Sequence, residues 1–125
     1  MSKELHLKQA NILRGLHRYP EAISEYNKYI SAQDFSALYS LGLCYYQSHQ
    51  YNEAIELCSR CLKTARNESG FYLVRADSEK ELSKYKAALD DYQTWSNMEP
   101  KEAYLRARWI ADIKKSLAAQ KNSEH

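Results

Sequence analysis

The chain has 125 residues and a formal net charge of +2, made from 18 basic and 16 acidic residues that are mixed along the sequence. This pattern lacks the basic patch of a nucleic-acid-binding surface, and no stretch approaches the roughly 20 apolar residues that a membrane span needs. Three Gly and two Pro leave little room for sheet-type turns, so the composition predicts a single all-α domain. The N-terminal stretch lacks the apolar run of a signal peptide, and the cysteine count of three is odd, so we expect a cytoplasmic protein with reduced thiols.

The N-terminal part of the chain has the spacing of two helices. Apolar residues predict a first helix over residues 3–16, with Leu5, Ile12, Leu13 and Leu16 facing inward. Pro20 fits the first turn of a second helix, which ends at a link over residues 31–34.

A second helical pair follows over residues 38–61. Its two apolar stripes, which include Leu38 and Leu41 in the first and Ala54 and Cys58 in the second, are separated by a polar turn at 47–50. A third pair begins near Phe71 and turns near Ser83, which gives the chain three helical hairpins in a row.

These hairpins repeat. Sliding the sequence by 34 residues lays Tyr51 on Tyr85 and Ala54 on Ala88, whereas the step from Tyr19 to Tyr51 is 32. Small residues recur at matched positions of the two helices, which predicts close helix–helix packing in every copy. The matched small pairs are Ala10 with Ala22, Gly42 with Ala54, and Ala76 with Ala88.

Leu41-Gly42, Tyr45 and Ala54, with Pro100 at the end of the next copy, resemble the tetratricopeptide repeat. The resemblance implies an all-α fold, a right-handed α-solenoid of three helical hairpins over residues 3–34, 35–68 and 69–102. A capping helix over 103–119 would close it, with its apolar residues inward, and a loose tail would follow over 120–125. The apolar face of that helix is Leu105, Trp109, Ile110, Ile113 and Leu117.

In tetratricopeptide proteins the first helix of each hairpin faces an inner groove where peptides dock, so the resemblance also implies a site. Tyr39, Leu43 and Tyr46 would form its apolar floor, although packing against the neighbouring repeats explains Leu43 equally well. The full set of groove residues implied in this way is Leu7, Asn11, Arg14, Tyr39, Leu43, Tyr46, Leu73, Asp77 and Lys80.

Repeats that clamp the C-terminal carboxylate of chaperone peptides use a Lys and Asn in the first copy, an Asn in the second, and a Lys and Arg in the third. Only Asn11 matches here, so a carboxylate clamp is not supported. The mixed apolar groove is similar to that of small three-repeat chaperones that cradle hydrophobic segments of secreted proteins, which is one option among others.

Residues with reactive side chains do not form a convincing catalytic or metal site. Cys58 and Cys61 have the spacing of a metal or redox pair, but they occupy positions that the next copy fills with Tyr92 and Trp95, and no second pair completes four ligands. The turn histidines His17 and His49 and the carboxylates Glu79, Glu81, Asp90 and Asp91 are interpreted as solvated surface. We therefore predict no catalytic residue, no metal and no cofactor.

Two functions remain. The favoured hypothesis is a non-enzymatic adaptor or chaperone that binds a peptide segment of a partner protein in the groove, without nucleic acid or membrane as a partner. The alternative is a scaffold subunit that self-associates, for example as a homodimer, through its outer face or final helix, with Trp109 as the contact.

Overall fold

A computed structural model describes residues 1–123 as an all-α array. Its helices are α1 (Lys3–Gly15), α2 (Tyr19–Tyr29), α3 (Phe35–Gln47), α4 (Tyr51–Leu62), α5 (Ser69–Glu81), α6 (Tyr85–Met98), a short 3₁₀-helix (Ala103–Arg106) and α7 (Ala107–Ser123). The starts of α1, α3 and α5 are separated by 32 and then 34 residues. The predicted solenoid of three hairpins with a capping helix is confirmed.

Each hairpin closes on small side chains. Ala10 and Ala22 are fully buried in the first hairpin and Ala76 and Ala88 in the third, as their matched spacing predicted. At Gly42 the three atoms nearest to an added Cβ belong to Leu57 and Cys58 of α4, the predicted partner helix, and to Val74 of α5. A Cβ at position 42 would meet them at 3.7–3.8 Å, which is ordinary contact.

The turn inside every hairpin has the same backbone geometry. Residues His17, His49 and Ser83 all lie in the left-handed region, with φ of 61°, 64° and 59°. Around His17 the amide of Arg18 donates to the carbonyl of Leu13 and the amide of His17 donates to that of Arg14, which is a Schellman motif. Glycine normally fills this position, and its absence here hid the motif in the sequence.

Stacking of the hairpins places α1, α3 and α5 in one layer, with α2 between α1 and α3 and α4 between α3 and α5. One apolar core runs from α1 to α5, and a second core joins α5, α6 and α7 through Trp95 and Ile113. Phe71 of the first core and Trp95 of the second are among the largest fully buried side chains.

Three predictions about the ends of the chain were wrong. Leu5, Ile12 and Leu16 are exposed, because no element of the described chain packs on that face of α1. Leu105 is also exposed, since it lies in the 3₁₀-helix before α7. The helix continues to Ser123, so the tail predicted over 120–125 is helical as far as it is described, and residues 124 and 125 lie outside the described part.

Within residues 1–123, none of the helices combines the length and the apolar character that crossing a membrane would require.

Candidate binding groove

The inner layer carries two neighbouring depressions at the N-terminal end of α3. One has a volume of about 530 Å³ and includes Leu7 and Asn11 of α1, and the other has about 430 Å³ and includes Tyr39 of α3. Both are bordered by Phe35 and Ser36, so they form one continuous surface. Three of the nine predicted groove residues, Leu7, Asn11 and Tyr39, therefore lie together.

Tyr39 is held in place by the start of the next repeat. Its ring lies against Gly70, where an added Cβ would be only 2.7 Å from Cε2 of Tyr39. The ring also makes an edge-to-face contact with Phe71, with centroids 6.3 Å apart, and Phe71 makes a similar contact with Phe35 at 6.4 Å. Burial raises the pKa of the half-buried Tyr39 phenol. The result is a fixed aromatic surface that stays partly open to solvent.

Phe35 and Phe71 were missed as contributors to this surface. Phe35 is the first residue of α3 and Phe71 lies near the start of α5, where the repeat pattern assigns no binding role. The available signal was that the chain has only two phenylalanines, and both stand at the beginning of an inner-layer helix.

Tyr46 lies two turns further along α3, away from the depressions. Its ring is tilted against Tyr51 of α4, with centroids 5.7 Å apart, and burial raises the pKa of Tyr46 to about 12. Leu43 of α3 and Leu73 of α5 are each half-buried against the two cores. Packing against the cores therefore buries part of each leucine side chain and leaves the rest exposed.

Asp77 does not lie on an open margin, as the repeat position implied, but is buried. The Tyr92 hydroxyl donates to its Oδ1 at 2.5 Å, and Arg106 Nε and Nη2 donate to the two carboxylate oxygens at 3.0 Å each. Arg106 belongs to the segment before α7, so Asp77 joins the capping region to the third hairpin. Its carboxylate is fully engaged and is not free for a ligand.

Lys80 is engaged with the capping helix as well. Its Nζ lies 4.1 Å from the ring centroid of Trp109, and Cζ of Arg106 lies 4.8 Å from the same centroid. Lys80 also pairs with Glu81 at 3.3 Å. Two cations therefore contact the Trp109 ring, which is half-buried on the second core.

Arg14 differs from the two other half-buried arginines of the described chain, Arg75 and Arg106. Its Nη1 donates to Gln47 at 3.3 Å, while its buried Nε has no hydrogen-bond partner among the described residues. Arg75 and Arg106 each hold a carboxylate with two hydrogen bonds, whereas no carboxylate of the described chain pairs with Arg14. A guanidinium in this state can accept an anion from a ligand.

A buried polar network occupies the seam between α4, α5 and α6. Arg75 Nε and Nη2 donate to Asp91 at 2.7 and 2.8 Å, and Arg75 Nη1 donates to Ser59 at 3.2 Å. Glu79 is buried beside them, and burial, followed by the influence of the Asp91 carboxylate, raises the pKa of Glu79 to about 9. The interpretation of Glu79 and Asp91 as solvated surface was wrong.

The cysteines pack in the core, as predicted. All three are free and buried, and burial raises the pKa of Cys58 to about 12 and that of Cys44 to about 11. His17 and His49 are exposed, and each places Nδ1 2.6 Å from the hydroxyl of the tyrosine two residues later. Over residues 1–123, no three His, Cys, Asp or Glu side chains are arranged to hold a metal ion.

The family described as "Anaphase-promoting complex, cyclosome, subunit 3" matches residues 15–94, which is more than half of the chain. The chain belongs to this family. It is a tetratricopeptide-repeat protein, as the residue pattern predicted. A comparison of this tetratricopeptide-repeat chain with curated protein sequences found no significant match.

Several solved structures share the fold. The first tetratricopeptide-repeat domain of Spaghetti (RPAP3), bound to the HSP90 peptide SRMEEVD, is 22% identical, with a TM-score of 0.81 over 93% of each chain. The second such domain of human RPAP3, in complex with the HSP70 peptide SGPTIEEVD, is 20% identical, with a TM-score of 0.77 over 90% of this chain and 98% of that one. The Hsp90 co-chaperone Cns1 from Saccharomyces cerevisiae is 21% identical, with a TM-score of 0.79 over 98% of this chain and 42% of that one. At these identities the likeness establishes the fold alone.

Proposed function

We propose that this tetratricopeptide-repeat chain is an adaptor or chaperone-like module that binds a peptide segment of a partner protein along its inner layer. The observation that carries the proposal is the aromatic surface at the start of α3, where Tyr39 is fixed on Gly70 and borders an open depression of about 430 Å³. A rigid, half-exposed tyrosine anchors a partner at low entropic cost. Tetratricopeptide repeats are interaction scaffolds, and two of the solved structures of this fold hold peptides.

The groove favours a segment with both apolar and acidic groups. The first depression is bordered by Leu7 and Phe35, which suit an apolar side chain. Beside them the amide nitrogen of Asn11 can donate to a peptide, since within the described residues only its Oδ1 is engaged, by the Tyr26 hydroxyl. Arg14 has no carboxylate partner within the described chain, so an acidic group of the peptide would satisfy it. Asp77 and Lys80 serve the fold on this account, and Leu43, Tyr46 and Leu73 extend the apolar floor.

Three finer expectations belong to the same proposal. The chain acts without catalysis, since the reactive side chains that the sequence offered are buried or engaged with neighbours. It acts in the cytoplasm, where its three free thiols would stay reduced. Its partner is a protein and neither a nucleic acid nor a membrane, because basic and acidic residues are nearly balanced.

Self-association through Trp109 is less well supported. The ring of Trp109 packs on the second core and is contacted by Lys80 and Arg106, so little of its apolar surface remains for a second chain.

The partner can be identified by a pull-down with the whole chain, followed by mapping of the captured protein on a peptide array. We expect a short segment with apolar side chains and at least one acidic residue. Soluble peptide should then compete with the captured protein for the chain. Replacing Arg14 by Ala should lower the affinity for the peptide, and the loss should be larger at low salt than at high salt. The proposal is contradicted if no short segment of the captured protein accounts for its binding. It is also contradicted if the capture is unchanged when Tyr39 is replaced by Ala.

A further inference from the structure

The positive charge of the chain is concentrated in its last helix. Residues 101–123 contain six basic and two acidic residues, whereas residues 1–100 contain 12 basic and 13 acidic residues. The cations of α7 are all exposed, and within residues 1–123 none of them pairs with a carboxylate. They are Arg108, Lys114, Lys115 and Lys121. This helix therefore presents an unbalanced positive charge to solvent.

The four cations border a seam of small apolar side chains. Three exposed alanines recur at helical spacing along one side of α7, and they are Ala107, Ala111 and Ala118. A seven-residue step places Arg108 and Lys115 along one edge of this seam, and the same step places the other two cations along the opposite edge. We call the three alanines and the four cations the α7 face.

The large apolar side chains of α7 lie on the other side of the helix, where the fold uses them. Ile113 is 2% exposed, and Trp109, Ile110 and Leu117 pack on the second core. A helix that lies in a membrane surface needs Trp, Phe or Leu on the side that enters the lipid, and the α7 face has only alanines there. The alanine methyl groups also offer no hydrogen-bond donor to a phosphate backbone. These features favour a protein partner over a bilayer or a nucleic acid.

The arrangement of the α7 face defines the partner by its chemistry. Small side chains allow a second helix to approach closely, because the distance between two packed helices depends on the side chains at their contact. Charged residues on both sides of an apolar seam select a partner of opposite charge, as the flanking positions of coiled coils do. The complementary surface is a helix with an apolar stripe and with Glu or Asp along both of its edges.

Larger apolar side chains stand directly before this face. Tyr104 and Leu105, in the 3₁₀-helix, are 74% and 53% exposed. An exposed tyrosine is a frequent anchor in protein interfaces. The two residues can therefore bury the end of a helix that runs along α7.

We propose that the α7 face is a second docking site, which binds an acidic amphipathic helix of a partner protein along α7. Salt screens contacts between exposed charges, so the complex is transient and sensitive to ionic strength. The two depressions that form the peptide groove have no lining residue from α7. The proposal therefore does not depend on peptide binding in the groove.

The test uses a designed, fluorescently labelled peptide of about 20 residues, which is long enough to form a helix. Its Leu and Ala residues form one face and Glu occupies both edges. Anisotropy with the full chain should give a Kd of about 1–100 μM at low salt, and the Kd should rise by at least about 5-fold at high salt. In NMR spectra the amide shifts should lie within residues 104–121, and Tyr39→Ala should bind the peptide like the wild type.

Charge reversal tests the two edges. The double variant Arg108→Glu, Lys115→Glu should weaken binding by at least about 10-fold, because attraction along one edge becomes repulsion. The matched control is Lys28→Glu, Lys86→Glu, which makes the same change in net charge at exposed positions of α2 and α6 and should alter the Kd by less than about 2-fold. A second peptide, with Lys on one edge and Glu on the other, should bind the first double variant more tightly than it binds the wild type.

A neutral replacement tests the alanine seam. Ala111→Gln should weaken binding by at least about 3-fold, because a long side chain at the seam keeps the helices apart. Circular dichroism should show unchanged helicity for all variants, since every replaced residue is exposed.

The proposal is overturned if the acidic peptide does not bind, or if its shifts lie on the inner layer around Tyr39. Equal losses in the two double variants, or an unchanged Kd for Ala111→Gln, also overturn it. So does tighter binding, at the same salt, of vesicles containing phosphatidylserine or of a single-stranded oligonucleotide.

Discussion

The ring of Tyr39 rests on the backbone of Gly70, so closely that a methyl group at position 70 would come within 2.7 Å of its Cε2 atom. Tyr39 belongs to the second hairpin and Gly70 to the first turn of α5 in the third. This contact sets the direction of the tyrosine and couples the stacking of two repeats to the shape of the groove. A glycine at the start of a helix here has a packing reason rather than a conformational one, because its φ is not positive.

Gly70→Ala and Gly15→Ala form a matched pair that tests this contact. Alanine stabilises a helix by up to about 1 kcal/mol relative to glycine. At Gly15 a Cβ would meet nothing within 4 Å, so we expect the free energy of unfolding to rise by about 0.5–1 kcal/mol. At Gly70 the ring of Tyr39 must move, which should cancel the gain and shift the aromatic resonances of Tyr39. Urea unfolding and NMR measure both effects, and equal stabilisation by the two variants would refute the contact.

Asp77 is expected to matter for stability rather than for ligand binding. Asp77→Ala leaves Arg106 and the Tyr92 hydroxyl without their acceptor at a buried site. Removing one partner of a buried ion pair typically costs about 3–5 kcal/mol, so we expect a loss of that size in urea unfolding. Asp90→Ala, at an exposed position of the next helix, should change stability by less than about 0.5 kcal/mol. Similar effects of the two variants would mean that the Asp77 contacts are not formed.

Glu79 should make the chain less stable as pH rises. The pKa of Glu79 is raised from its ordinary value of 4.5 to about 9, because burial disfavours the charged form. Between these values the folded chain keeps a proton that the unfolded chain releases. The contribution of Glu79 to stability is therefore complete below pH 4.5 and is lost as pH rises through about 9.

Urea unfolding from pH 5 to pH 9 compares the wild type with Glu79→Gln, which cannot titrate. The wild type should lose up to about 1.4 kcal/mol per pH unit relative to the variant. Glu56→Gln, at an exposed position of α4, should retain the wild-type slope. If Glu79→Gln also has the wild-type slope, the carboxyl group is ionised in the folded chain.

Ser83→Gly is expected to stabilise the third hairpin. Ser83 adopts a φ of 59°, a left-handed conformation that costs a residue with a side chain about 1–2 kcal/mol. Its hydroxyl makes no hydrogen bond within the described chain, so glycine loses no contact. After allowance for the greater freedom of glycine in the unfolded chain, we expect a gain of about 0.5–1 kcal/mol in urea unfolding. Destabilisation would contradict the Schellman geometry at this turn.

The fold could be predicted because the repeat is a local pattern. Ala54 and Ala88 are fully buried, and the short turns place each helix against its neighbours in sequence. The sequence spacing between copies therefore predicted the order of the helices and which side of each helix faces its neighbour. The sequence also indicated correctly that Cys58 and Cys61 pack in the core, because the next copy has aromatic residues at those positions.

The details of the groove depend on contacts between repeats, which a periodic pattern does not reveal. Asp77 was placed at an open margin because Arg106, which covers it, stands 29 residues later in a segment outside the repeats. Phe71 was missed because its partner Phe35 belongs to another hairpin. Ile12 was predicted to be inward because an apolar stripe has the same spacing whether or not a neighbour covers it.

The most direct test of peptide binding on the inner layer is calorimetric titration of the mapped peptide against Tyr39→Ala, Tyr46→Ala and the double variant. Each single replacement should weaken binding by about 1–2 kcal/mol while helicity stays unchanged. Tyr29→Ala, at a half-buried tyrosine of α2 that stacks on His6 outside the groove, should bind like the wild type. Unchanged affinity of the double variant would contradict the groove.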